Sequence, residues 1–400
     1  MVLSPSWLCS RLIGSLFSYD HLRLYEPNGR FCSDILHKLH PGPKPDALVP
    51  LLEALELCTR CKEDAKDEIE DAKVEIEFPC LCTISDVSDM YTMFKQNRSD
   101  YVHGGVRIVA PRSLANQLIH VFPKVQVRLR QHRRLAGADR DAVSLYSFQH
   151  CSLYIQGNLR VLVMMTADNQ AIDVRLCGPC SERLALYYFK EEVSDIVYSV
   201  LNDCCPGLRL EHHLLSCVEL KSTFGMVHAY CPKDIHEAQM CSSLTVLLPG
   251  KDRISETICD LVAFGSTEIF SKLVSGTKLH ISCLTLEARR CLSQVVDPPD
   301  ATGRDWCLLA VSLGLAVELP KLEEAESPTD ACIRLWSRNR DATASVLIEK
   351  LRGLGRQDAV DAVFSCLPLF VRSFDINCIE PDGGVVSDNS DFTPSSLASR

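Results

Sequence analysis

An α+β multidomain fold is predicted by three changes of pattern along the chain: a winged-helix-like α/β N-terminal part, a β-rich α+β middle part and a C-terminal bundle of short helices. Apolar residues recur at helical spacing as far as about residue 57, then alternate with charged ones around residue 76. Alternation prevails from Tyr101 to about Leu176, where a long amphipathic helix takes over. From about Leu284 only short helices follow, each with its own start and stop signals.

The elements follow in chain order. Ser4 and Pro5 suit the start of a helix carrying Leu8, Leu12, Ile13 and Leu16 to about Ser18. Helices are expected at Ser33 to Leu39 and Asp46 to Leu57, the second with Leu48, Leu51, Leu52 and Leu55 on one side. Val74, Ile76 and Phe78 then alternate with Glu75 and Glu77 as in a half-buried strand, and the charged stretch from Lys62 to Lys73 would be a hairpin tip. Three helices and then a hairpin is the order of a winged helix.

In the middle part, Val106 and Ile108 read as strand. So do Val125, Val127 and Leu129, alternating with Lys124, Gln126, Arg128 and Arg130 to give a basic face with Arg133 and Arg134 beyond. Strands are expected at Ser152 to Ile155, Arg160 to Met165 and Ala171 to Leu176, then a helix from Ser181 to Leu201 that stops before Pro206-Gly207. Between residues 208 and 280 the pattern supports only strands near Met226 to Tyr230 and Leu244 to Leu248 and a helix near Ser255 to Phe264. In the last part, Asp305 caps a helix with Trp306, Leu309, Ala310 and Leu313 that ends at Gly314. Ser327-Pro328 opens one with Ile333, Leu335 and Trp336 inward, Ser345 to Leu354 ends at Gly355, and Gln357 to Cys366 carries Ala359, Val360, Val363 and Phe364. Trp306 and Trp336 are assigned to the core. From about Arg372 the Ser-, Asp- and Gly-rich tail has little to bury and reads as disordered, with Thr393-Pro394 a candidate phosphorylation site.

A formal charge of −10 gives no electrostatic footprint for phosphate backbones, and the second expected helix offers Glu53 and Glu56 with no Arg or Lys, so nucleic acid is a poor partner. The 21 cysteines are scattered through long periodic segments and read as reduced thiols. No apolar run approaches the roughly 18 residues of a membrane span, and a cytoplasmic setting is expected.

The stretch Asp297-Pro298-Pro299-Asp300, Gly303, Asp305-Trp306-Cys307-Leu308-Leu309-Ala310 and Leu313-Gly314-Leu315 resembles the death domain of the death-associated protein kinase family. Leu351-Arg352, Leu354-Gly355-Arg356, Asp358-Ala359 and Asp361 are similar to that family's last two death-domain helices. Upstream, Val2 to Leu8, Gly104 to Val109, Lys124 to Val127 and Pro206-Gly207-Leu208 resemble its COR region, the unit that follows a Ras-like GTPase. The resemblance implies two COR halves at 1–100 and 101–280, a six-helix death domain at 281–371 and a tail at 372–400. It further implies homodimerisation through the COR-like region, possible contact with a Ras-like GTPase domain, and recruitment of death-domain or other signalling proteins in apoptosis-related signalling.

No glycine-rich kinase loop or His-Arg-Asp loop occurs, and Asp391-Phe392-Thr393 is no usable magnesium motif. Pro249-Gly250-Lys251-Asp252 lacks the leading glycine and the hydroxyl of a phosphate loop. No enzymatic activity, cofactor or metal is therefore expected. Cys58, Cys61, Cys80 and Cys82 could present four thiolates to zinc, but cysteines one apart on a strand face opposite ways, so packed thiols are the simpler reading. Cys177 with Cys180, Cys204-Cys205, and any cysteine paired with His212, His213 or His228 carry no local signature. The candidate docking residues are those of the bundle's uneven charge: Glu323, Glu324 and Glu326, with Glu318, on one side, and Arg334, Arg338, Arg340, Lys350, Arg352 and Arg356 on the other. The basic face at residues 124–134 reads first as solvated, and next as a complement to the acidic first part. A monomeric chain that competes with a full-length kinase for partners, or a C-terminal fragment of such a Ser/Thr kinase, is the alternative function. A winged-helix nucleic-acid regulator is a distant one.

Overall fold

The computed structural model describes residues 6, 10, 13–18, 26–32, 34–35, 38, 45–61, 75–95, 98–112, 115–135, 143–222, 225–248 and 254–373. The expected hairpin tip, most of the first helix, the Pro249 stretch and the tail with Thr393-Pro394 lie outside these residues.

The first part holds strand β1 (Arg30–Cys32), helix α1 (Pro45–Ala54), β2 (Thr59–Arg60) and β3 (Glu75–Glu77). Antiparallel pairing places β3 between β1 and β2. Ile76 and Phe78 close over Leu48 and Leu52 of α1, with Leu16 and Phe31 in the same core. Burying these leucine and phenylalanine side chains contributes about 1.5–3 kcal/mol each. The expected alternation is present, but Glu77 is buried rather than solvated. Arg30 Nε and Arg130 Nη2 each reach Glu77 Oε2 at 2.9 Å. Such a carboxylate is tolerable inside only because it is paired.

Helix α2 (Ser88–Phe94) leads into β4 (Tyr101–Val109), α3 (Ala115–Leu135), β5 (Val143–Phe148), β6 (Cys151–Gln156), β7 (Leu159–Met165), β8 (Ala171–Pro179), α4 (Arg183–Cys204), β9 (Glu211–Leu215), α5 (Cys217–Ser222), β10 (Ala229–Tyr230) and α6 (Pro232–Met240). A seven-stranded antiparallel sheet runs β10-β9-β4-β8-β7-β6-β5. Val106, Ile108, Val161, Val163, Val174 and Leu176 bury one face of it beneath α3 and α4. Met90 and Phe94 of α2 cover part of the other, over Leu153, Leu162 and Cys177. There Asp173, fully buried, takes Arg107 Nε at 2.6 Å and Arg175 Nη2 at 2.8 Å.

One expectation is overturned. Residues 124–130 are not a strand but part of α3, which continues through Pro123. The apparent period of two comes from a helix buried on more than one side. Leu118, Val121, Phe122, Val125 and Leu129, at i, i+3, i+4, i+7 and i+11, face the sheet. Gln126, Val127 and Arg130 are enclosed elsewhere: Gln126 Nε2 donates to the carbonyl of Phe148 at 2.9 Å, and Gln131 Nε2 donates to that of Glu53 at 3.0 Å. The basic residues here are partly consumed inside the molecule, Arg130 by Glu77 and Arg128 by Glu56, with Asp203 at 3.6 Å from Arg128. The charge complementarity between first and middle parts is thus realised at these contacts.

Next come β11 (Thr245–Leu247), β12 (Ser255–Thr257), α7 (Ile258–Ala263), α8 (Thr267–Phe270) and β13 (Leu273–Ser275). Residues 255–257 therefore pair with β11 instead of starting a helix. The bundle is α9 (Leu286–Val296), α10 (Trp306–Ser312), α11 (Leu319–Glu323), α12 (Pro328–Trp336), α13 (Ala344–Gly353) and α14 (Gln357–Cys366), followed by β14 (Phe370–Arg372). Asp305 and Ser327 cap α10 and α12 as expected. Gly314 and Gly355, at φ 81° and 71°, take the left-handed turn that ends α10 and α13. Trp336 lies in the core, whereas Trp306 is only half-buried.

Candidate protein-docking site

Most of the charge singled out in the bundle lies at its surface. Glu323, Glu324 and Glu326 are exposed where α11 runs into the α12 cap. Arg334 is exposed on α12 and tied at 2.7 Å to Asp330, which also receives Arg289 at 3.1 Å. Arg338 and Arg340 stand exposed after α12, and Lys350 on α13. These seven residues present charge to solvent.

Arg352 and Arg356 do not join them. Arg356 is 9% exposed. Its Nη2 donates to the Val295 carbonyl at 2.6 Å, its Nη1 to the Arg304 carbonyl and its Nε to Asp358 at 2.9 Å. Asp358 is held below the usual carboxylate range chiefly by this hydrogen bond. The residue ties together α9, the start of α10 and the start of α14. Arg352 points at the middle part, where its Nη2 meets Glu237 of α6 at 2.6 Å.

That contact belongs to a longer seam. Lys233 of α6 pairs with Asp361 of α14 at 2.8 Å, which lowers the Asp361 carboxyl. The ring of His236 stacks on Phe364 with centroids 5.2 Å apart, and its Nε2 donates to the Leu367 carbonyl at 3.2 Å. Gln239 Nε2 donates to the Leu369 carbonyl at 3.2 Å, and β14 pairs with β13. The α13–α14 side of the bundle is therefore occupied by the chain's own α6. The side built from α10 to α12 is not so covered among the described residues. It also carries Leu308, Val311 and Val317, which are 38%, 45% and 88% exposed. The sequence reading passed over them, although a stripe of Trp306, Leu309, Ala310 and Leu313 inward leaves Leu308 and Val311 outward on the same helix.

The zinc set is dispersed. Cys58, Cys61 and Cys82 are buried and Cys80 is exposed. The Cys61 thiol faces Glu77 at 3.8 Å and the Cys82 thiol faces the Ser147 carbonyl at 3.8 Å. Burial first, then Glu77, pushes Cys61 up to about 11. Among the described residues no three His, Cys, Asp or Glu side chains gather as a metal site, and no helix is long and apolar enough to cross a membrane.

Comparison with known proteins agrees with the bundle's geometry. Residues 289–366 match the death domain family. The death-associated protein kinase dapk-1 of Caenorhabditis elegans is 30% identical over 379 residues, which make up 93% of this chain. The chain spans 26%, about a quarter, of that relative's length.

Proposed function

We propose that this chain is a non-catalytic signalling scaffold: its death domain recruits death-domain or other signalling proteins in apoptosis-related signalling, and its COR-like region pairs two chains. The observation that carries the reading is the death-domain bundle, with a charged and partly apolar α10–α12 side left open while the chain's own α6 takes the other. Complementary charge favours encounter and specificity more than raw affinity. Single contacts are then weak, and pairing two chains strengthens them by raising effective concentration. Winged-helix-like and β-rich halves of a COR region, a Ras-like GTPase neighbour and a cytoplasmic setting belong to the same reading. They are supported by the resemblance upstream of the bundle and by the match along most of the chain.

Two measurements test it. Light scattering across a concentration series of residues 1–400 should give twice the chain mass; a monomer at every concentration would reject pairing and leave the monovalent competitor. Proximity labelling in cells should lose death-domain proteins when Arg334, Arg338 and Arg340 are changed to Glu, and an unchanged set would reject docking through this face. The second reading, a C-terminal fragment of a Ser/Thr kinase, is favoured by the chain's covering only a quarter of its kinase relative. Transcript mapping upstream of Met1 distinguishes the two.

A further inference from the structure

Helix α6 meets the bundle as a helical ligand meets its receptor. Lys233, His236, Glu237 and Met240 stand at i, i+3, i+4 and i+7, the spacing by which an amphipathic helix lays one stripe on a docking face. All four face the bundle. Lys233 pairs with Asp361 at 2.8 Å and Glu237 with Arg352 at 2.6 Å, while His236 stacks on Phe364 and Met240 packs against the bundle core. The Arg352 guanidinium also lies 5.8 Å from the centroid of the Phe364 ring. The face of α13 and α14 thus offers an acid, a ring and a base, which match a cation, a planar group and an anion on one helix.

The opposite stripe of α6 belongs elsewhere. Ile235 is fully buried in the sheet-domain core, and Ala238 packs against that core. The sheet domain therefore holds the helix and presents it to the bundle. The contacts across the seam are of a kind that can be exchanged. The side chains of Arg352 and Glu237 are 32% and 38% exposed, and those of Lys233 and Asp361 47% each. Arg209 and Glu287, 3.1 Å apart, add one more exposed pair on the same seam. Ion pairs this open to water contribute little each. The covalent links between bundle and sheet domain run side by side as β13 and β14, so the bundle can tilt off α6 while they stay paired.

We propose that the α13–α14 side of the bundle is a second docking face, one that takes a partner helix and is held shut in this chain by α6. The helix it fits carries a Lys or Arg, a His or aromatic ring, an Asp or Glu, and an apolar side chain at i, i+3, i+4 and i+7. Such a helix replaces α6 contact for contact, pairing with Asp361 and Arg352 and stacking on Phe364. The bundle then tilts away from the sheet domain. Occupation by α6 weakens the apparent affinity of the face in proportion to the fraction of chains in which it is free. This face is separate from the open α10–α12 side, so failure here leaves docking through Arg334, Arg338 and Arg340 intact.

The test uses a fluorescein-labelled peptide of residues 229–243, which carries the α6 stripe, titrated into the whole chain under reducing conditions. In the doubly substituted chain Lys233→Glu, Glu237→Arg the contacts of α6 with Asp361 and Arg352 turn repulsive. That chain should bind the peptide at least tenfold more tightly than wild type does, and a peptide with the same two reversals should bind neither chain. Equal binding of the peptide to both chains, or none to the opened one, would overturn the proposal. The neutral replacements Lys233→Gln and Glu237→Gln remove the same two pairs without repulsion, and they carry the comparison where the reversed chain does not fold.

Discussion

Arg356 is the side chain on which three parts of the bundle converge. Removing a charged donor from two carbonyls that remain near the interior costs about 2–3 kcal/mol. Arg356→Ala should therefore shift the urea midpoint markedly. Arg338→Glu, at an exposed position, should stay within about 0.5 kcal/mol of wild type; equal effects would mean that the burial argument is wrong. A run of basic residues from Arg334 to Arg356 does not reveal that the carbonyls of Val295 and Arg304 lie around one of them, so sequence alone groups Arg356 with the docking charges. The caps are a different case. Asp305 and Ser327 act on the backbone a few residues away, and such local hydrogen bonds are legible in sequence.

Among the elements, α3 and α6 show why period alone fails. Each has two occupied sides. On α6, Ile235 enters the core of the sheet domain, while Lys233, His236 and Glu237 meet the bundle. A nine-residue helix divided in this way has no single apolar stripe, and it was missed. The strands at 101–109, 151–156, 159–165 and 171–179 are legible as short runs rich in apolar and β-branched residues, and the sheet buries them on both faces. The seam yields a test by double-mutant cycle. Glu237→Arg and Arg352→Glu should each destabilise, and together recover about 0.5 kcal/mol, the usual range for a partly exposed pair. Additivity of the two would show that the contact couples nothing.

For the molecule as a whole, acid should be the first stress to tell. His103 on β4 is buried, with neither ring nitrogen hydrogen-bonded among the described residues, and burial, then Lys221 and Lys95, pushes it down to about 4. Burial lowers His212 and His236 in the same direction. An unfolded histidine takes its proton near pH 6.5. Between pH 6.5 and 4 the unfolded chain thus binds more protons, and stability falls as pH falls through that window. The shift at His103 is equivalent to about 3 kcal/mol when complete. Urea midpoints of wild type and His103→Gln should converge as pH drops from 7 to 4.5; a constant gap would remove His103 from the account.

Strands β13 and β14 flank the bundle in sequence and pair with each other, so the whole bundle is the loop of a hairpin. Closing a hairpin across so long an unfolded loop is slow and entropically costly. Once the six helices have packed, residues 275 and 370 are already neighbours, and the pairing becomes a local event. The bundle should consequently fold before the hairpin zips. A substitution that unfolds it also releases Arg372 from the rings of Tyr187 and Tyr188, 5.9 and 5.4 Å away on α4. Damage to the bundle is thereby felt at α4 as well as at the α6 seam.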